Sequence, residues 1–168
     1  MTRPVVVVSD AGPLIALAVC GQLELLAAVF DKVHVPQAVL DETTTERSRP
    51  GATAIAAFVQ AHALVHPGRD DAAYAALVSH LDEGEAQALS LAQALGCGVL
   101  MDERRGREAA MRQGVPLIGV LGVLLQAKRL GKIECIAPTV ALMRTRGYRL
   151  SQALVDTALK MADESQRP

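Results

Sequence analysis

The sequence predicts an α/β sandwich: a three-layer fold with a central, mainly parallel sheet of four to five strands between helices. Three observations carry this. Short, wholly apolar runs such as Val5-Val6-Val7-Val8 have the composition of strands buried on both faces. Helical stretches alternate with these runs, which implies right-handed crossovers and a parallel sheet covered on both sides. The chain has 168 residues, 51% of them hydrophobic, punctuated by 13 Gly and 8 Pro. That is the size and richness of one folded domain, not of a disordered or low-complexity chain. The expected domain is 1–168, with C-terminal helices from about residue 137 packed on it.

The elements follow in order. Val5 to Val8 reads as a buried strand, and Ser9-Asp10-Ala11-Gly12-Pro13 turns the chain into a helix whose first turn suits Pro13. That helix ends near Gly21, and Leu23 to Phe30 supplies a second short one. Lys32 to Pro36 is a strand closed by proline, with Gln37 to Glu42 opening the next helix. Thr43 to Gly51 is polar and turn-rich and reads as a mobile surface loop. Ala52 to Leu64 is helical, Leu64-Val65-His66 is a weak strand, and Ala72 to Leu81 and Glu83 to Leu95 are two helices, the second ended by Gly96. Gly98 to Met101 is a strand with Asp102 at its end. Helix Arg104 to Gln113, strand Val115 to Gly119 and helix Leu121 to Leu130 come next, and Pro138 to Arg146 and Ser151 to Asp163 close the chain as helices.

Composition removes several function classes. No apolar run approaches the roughly 20 residues that span a bilayer, and no signal-peptide pattern opens the chain, so a membrane protein is not expected and the cytoplasm is. Cys20, Cys97 and Cys135 lie at wide, unrelated spacings, which suggests neither a disulfide frame nor a zinc site. With 2% aromatic residues and no Trp, few rings exist on which bases could stack. His62 and His66 are four apart, but Pro67 and the strand around His66 break the helix, and His34 and His80 have no partner at ligand spacing. There is neither a Gly-x-Ser-x-Gly elbow nor a phosphate-binding Walker loop. An aspartyl phosphotransferase built on Asp10 ranks last, because Gly12 stands where a second Asp is needed.

The net charge of -1 conceals an asymmetry: residues 1–100 carry 5 Lys+Arg against 11 Asp+Glu, and residues 101–168 carry 12 against 7. The halves read either as ordinary solvated helix faces or as a carboxylate pocket beside a basic rim. In parallel sheets ligands bind beyond the carboxyl ends of the strands. Asp10 and Asp102 end two apolar strands, Glu42 follows another, and Glu85 opens the helix leading into the fourth. Each has a structural alternative as a helix cap or first-turn acid. Gathered together they would repel one another and be stable only protonated or bound to a cation. A set of carboxylates with no softer ligand suits Mg²⁺ or Mn²⁺, which can position water for attack on a phosphodiester.

Val7-Val8-Ser9-Asp10-Ala11-Gly12-Pro13-Leu14-Ile15-Ala16-Leu17-Ala18, Val35-Pro36-Gln37-Ala38-Val39-Leu40-Asp41-Glu42, Gly84-Glu85-Ala86-Gln87-Ala88-Leu89-Ser90-Leu91-Ala92 and Met101-Asp102-Glu103-Arg104-Arg105-Gly106-Arg107, in that order, resemble the PIN-domain superfamily. The similarity is to its PIN-like branch of prokaryotic proteins related to the ribonuclease toxins of toxin–antitoxin pairs, and it covers nearly the whole chain. It implies a Mg²⁺- or Mn²⁺-dependent endoribonuclease with an acidic quartet of Asp10, Glu42, Glu85 and Asp102. Of these, Asp10, Asp102 and Glu85 are expected to hold metal, and Glu42 to orient the attacking water. It further implies an RNA substrate, a cognate antitoxin and self-association. Ser9, Arg104, Arg105 and Arg107 are the expected substrate contacts, with Lys128, Arg129, Lys132, Arg144, Arg146 and Arg149 extending the basic rim. Ala11 and Gly12 replace the family's hydroxyl residues, and the third acid is a Glu with Asp82 and Glu83 as rivals. These departures set the alternative: a catalytically weak or inactive PIN-like module that binds protein or RNA.

Overall fold

Two adjacent valines of the first strand point into two different cores: Val7 joins one apolar cluster and Val8 the other, as the alternation of a strand buried on both faces requires. The structure, a computed structural model, describes residues 5–165. The expected opening Met1 to Pro4 and the last three residues of the expected 1–168 domain lie outside the described residues.

The sheet has five parallel strands in the order β3-β2-β1-β4-β5, where β1 is Val6–Ser9, β2 Lys32–Pro36, β3 Ala63–His66, β4 Gly98–Leu100 and β5 Leu117–Ile118. Val7 stands opposite Val33 on one side and Gly98 on the other, Val35 opposite Val65, and Val99 opposite Leu117. One face is covered by α1 (Ala11–Val19), α2 (Glu24–Val29), α3 (Gln37–Thr44), α4 (Ala52–His62), α8 (Val120–Arg129), α9 (Ala137–Thr145) and α10 (Gln152–Met161). The other is covered by α5 (Ala72–Val78), α6 (Glu83–Leu95) and α7 (Arg104–Arg112).

The strand order reverses between β1 and β4, which is the switch point where open α/β sheets leave a crevice at their carboxyl ends. Asp10 follows β1 and Asp102 lies just beyond β4, so the topology brings both to this crevice.

Two elements depart most from the sequence reading. The strand expected over Val115 to Gly119 shrinks to two residues, because Pro116 has no N–H to donate and serves β4 only through its carbonyl, which accepts from Val99 N–H at 2.9 Å. The expected loop over Thr43 to Gly51 begins as the last turn of α3, where Thr43 and Thr44 hydroxyls bond back to the Val39 and Leu40 carbonyls. Gly51 closes that segment in the left-handed region, at φ 82°, and caps α4. The weak strand before Pro67 is real but lies at the sheet edge, with Leu64 and Val65 exposed.

Candidate active site

Asp10 occupies the N-cap position of α1 in extended conformation, yet its side chain makes no capping hydrogen bond. Its backbone N–H donates to the Leu100 carbonyl at 3.0 Å, fixing the end of β1 beside the end of β4. Its carboxylate, 4% exposed, faces a cavity of about 710 Å³ whose wall also carries Glu42, Asp82, Glu85 and Glu103, with Arg105 the one arginine among them.

Each acid is delivered by a local device. Glu42 projects from α3 over Gly84 of α6, where a Cβ would stand 2.9 Å from Glu42 Oε2, so only glycine lets the two helices meet with the carboxylate between them. Asp82 and Glu85 form a capping box: the Asp82 carboxylate accepts from Glu85 N–H at 2.8 Å, and Glu85 Oε2 accepts from Asp82 N–H at 3.1 Å. Capping and site membership, alternatives in the sequence, coexist here, because the box pins both side chains on the cavity wall.

The crowding shifts their protonation. Burial, opposed in part by the Ala11 N–H and reinforced by the charges of Glu85, Asp82 and Glu42, pushes the Asp10 carboxyl up to about 8. Glu42 and Glu85 are also raised, each chiefly by burial and then, net of partial offsets, by carboxylates that include Asp82.

Asp102 lives differently. It is not on the cavity wall; both of its oxygens accept from Val120 N–H at the start of α8, at 3.2 Å each, and Oδ2 also accepts from the Tyr148 hydroxyl at 2.5 Å. A Cβ on Gly119 would lie 2.5 Å from Asp102 Oδ1, so glycine is what allows the helix end to close on the carboxylate. Burial raises the Asp102 pKa, while Tyr148, Val120 and Arg107 pull it back.

A PIN-domain family, DUF3368, matches residues 6–164. The chain belongs to the PIN-domain family. PIN domains are typically nucleases that use divalent metal ions. The fold is also similar to a PilT N-terminus domain protein from the hyperthermophilic archaeon Sulfolobus solfataricus P2, at 15% identity and a TM-score of 0.53, over 71% of this chain and 90% of that one. No curated protein matches the chain. In this PIN domain the cavity donors are carboxylate oxygens, the set that hard cations prefer, and the buried Asp10 is the acid whose ionisation a cation would most relieve. The residues therefore fit a hard divalent cation by their donor chemistry, although among the described residues no three His, Cys, Asp or Glu stand grouped closely enough to hold a metal ion as they are.

Of the expected quartet, the PIN domain brings Asp10, Glu42 and Glu85 to one cavity and sets Asp102 beside it on Tyr148. Ser9 is a correction: its side chain is fully buried and its hydroxyl donates to the Asp10 carbonyl at 3.0 Å, so it has no path to a substrate. The three arginines divide. Arg104 is exposed and paired with Glu108 at 3.0 Å, Arg105 reaches the cavity, and Arg107 stands beside Asp102. Lys128 is withdrawn from the expected basic rim, since its ammonium is bound to Glu164 at 2.9 Å and to the Ala162 carbonyl at 2.6 Å.

The sequence reading missed Tyr148 and Glu103 and held Asp82 only as a rival. Glu103, next to Asp102, was the easiest to find; Tyr148 offered no signal beyond being one of two tyrosines in an aromatic-poor chain. His34 has no partner at ligand spacing along the sequence, and the fold gives it a hydrogen-bond partner instead: Nδ1 of His34 and Nε2 of His66 are 2.7 Å apart across β2 and β3. The His34 register partner is Leu64, so His66 is the diagonal neighbour two residues on, within reach on the same face.

Proposed function

We propose that this PIN domain is a Mg²⁺- or Mn²⁺-dependent endoribonuclease, the toxin of a toxin–antitoxin pair. One observation carries the reading: five carboxylates share the wall of a single cavity at the carboxyl ends of the strands, and Asp10, the most deeply buried of them, is forced toward protonation by that burial and, further, by the charges of Glu85, Asp82 and Glu42. Such an arrangement is unfavourable by itself and becomes favourable with a cation.

Asp10, Glu85 and Asp102 are the residues that would hold the metal. When bound it supplies a water of lowered pKa and neutralises charge on the phosphate under attack. Glu42, positioned over Gly84, accepts a hydrogen bond from the attacking water and aligns it. Tyr148 and Val120 N–H keep the Asp102 carboxylate in one orientation. Arg105, on the same wall, binds a non-bridging phosphate oxygen. In-line attack with departure of the 3′ oxygen leaves a 5′-phosphate and a 3′-hydroxyl. A cognate antitoxin covering the cavity or inserting an Arg into it, and self-association of the PIN domain, belong to the same proposal.

The second reading, a weak or inactive binding module, draws on a specific observation: the hydroxyl of Tyr148 already occupies a lone pair of Asp102. The experiment that separates them offers chelator-stripped protein a panel of single-stranded and structured RNAs, with Mg²⁺ or Mn²⁺ restored, beside an Asp10→Asn, Asp102→Asn double variant. Metal-restored cutting that the double variant lacks is the expected result. Folded, partner-free wild type that cuts no more than the variant moves the binding module ahead.

A further inference from the structure

A second cavity, of about 750 Å³, adjoins the acidic one and shares Ser79, His80, Leu81 and Arg105 with it. Its character is reversed. Arg105 and Arg112 line it from α7, and His80 lines it from the connection between α5 and α6. The two arginines are seven positions apart, which places them on one face of the helix, about 10.5 Å apart along its axis at 1.5 Å per residue.

The only acid on this wall is Glu108, spaced to pair with either arginine, at i+3 from Arg105 and i−4 from Arg112. It is taken: Glu108 Oε1 accepts from Arg104 Nε at 3.0 Å. Among the described residues no carboxylate forms an ion pair with Arg105 or Arg112. That pairing leaves the guanidiniums of Arg105 and Arg112 without a carboxylate partner along a groove leading to the acidic cavity. A stacked strand covers their separation in about three nucleotides at ~3.4 Å each. Among the lining residues the only ring is the His80 imidazole, so the wall is built for phosphates more than for a stack of bases.

We propose that the Arg105–Arg112 face of α7, with His80 opposite, is a phosphate-binding track for the nucleotides flanking the RNA phosphodiester in the acidic cavity. The track rests on the nuclease reading for its substrate. It grips backbone rather than bases, so it holds a flank of any sequence and fixes the direction in which the strand leaves the site.

The test is fluorescence anisotropy of labelled single-stranded 12-mers with the full-length protein in chelator-containing buffer, where no cutting occurs. Arg112→Ala, which touches only the second cavity, and Arg105→Ala are compared with Lys160→Ala, an exposed charge on α10 in the opposite layer. Each track variant is expected to weaken binding about tenfold, alike for several sequences, and to lower the salt slope by about 1. Lys160→Ala should stay within about twofold, and a DNA 12-mer should bind within about threefold of RNA, since phosphate is what the two share. Track variants that bind like Lys160→Ala, a wild type that binds no 12-mer, or RNA binding without DNA binding overturns the track. Metal-dependent cutting by a wild type whose arginine variants bind normally sinks the track and leaves the nuclease standing. Arginine-dependent binding by a protein that never cuts does the reverse.

Discussion

Asp10 and Asp102 begin from nearly the same sequence context, a carboxylate just after an apolar parallel strand, and end in opposite environments. Asp10 faces an open cavity among Glu42, Asp82, Glu85 and Glu103, has no capping partner and is pushed up to about 8. Asp102 is enclosed by a helix N-terminus, a tyrosine hydroxyl and the nearby Arg107, all of which favour its ionised form against burial. The strand and turn set the position of a carboxylate; segments arriving from elsewhere set its chemistry. In this protein they set one acid among other carboxylates, where a cation would relieve it, and surround the other with donors that offset its burial in part.

Removing the first acid should have the largest effect. Asp10→Asn is expected to lower metal-restored cleavage by more than about 100-fold, beyond the range typical for residues that only support a metal ligand. A steady-state assay on a single RNA checks it, and retained activity would mean the two acids are not divided as described.

On the Asp102 side, Tyr148→Phe keeps the ring and removes one hydroxyl. It should weaken Mn²⁺ affinity, read by calorimetry, by about 10- to 100-fold. A gain in affinity would instead make Tyr148 a competitor for the metal's place on Asp102.

The contrast also has a pH signature in the metal-free protein. Between about pH 4 and about pH 8 an unfolded chain has released the Asp10 proton while the folded one keeps it, so stability falls as pH rises through that window. Below it both forms are protonated, and above it the penalty is complete. Asp10→Asn should flatten this decline and raise the thermal midpoint at pH 8 by a few degrees, at about 2–4 °C per kcal/mol for a chain of this size. Thermal melts across pH, with chelator present, check both parts.

The smallest effect separates capping from chemistry on the shared wall. Asp82→Ala should cost about 1 kcal/mol of stability, and Asp82→Asn, a good cap itself, close to none. A chemical denaturation series distinguishes them; equal losses would mean that the charge of Asp82, not its cap, stabilises α6.

What the sequence made legible follows the same division. The β-branched run at β1, the proline closing β2 and the glycine ending α6 are local signals, and the five-stranded parallel sheet follows from them. Asp10 was legible because a local turn places it at the end of β1, and Glu42 and Glu85 because they lie on the helices that follow β2 and precede β4. The hold on Asp102 was not, since Tyr148 lies 46 residues further along and arrives only when α9 packs. Ser9 misled for a different reason: as the last residue of β1 it follows the strand's alternation and its side chain is buried in the interior. His34 and His66, 32 residues apart, meet only through strand pairing. Arg104 and Glu108, by contrast, follow helix spacing and could be anticipated as partners, but that their pairing leaves Arg105 and Arg112 unneutralised emerges only with the second cavity in view.

The most direct test of the acidic cavity as a cation site is Mn²⁺ titration of chelator-stripped wild type and Asp10→Asn at pH 7, in two buffers of different ionisation enthalpy. The account predicts that wild type binds with release of about one proton, because an Asp10 carboxyl near 8 is still largely protonated there and must ionise to become a ligand. Asp10→Asn should bind far more weakly and release almost none. Binding of equal strength in both proteins, or no binding by wild type, would contradict it.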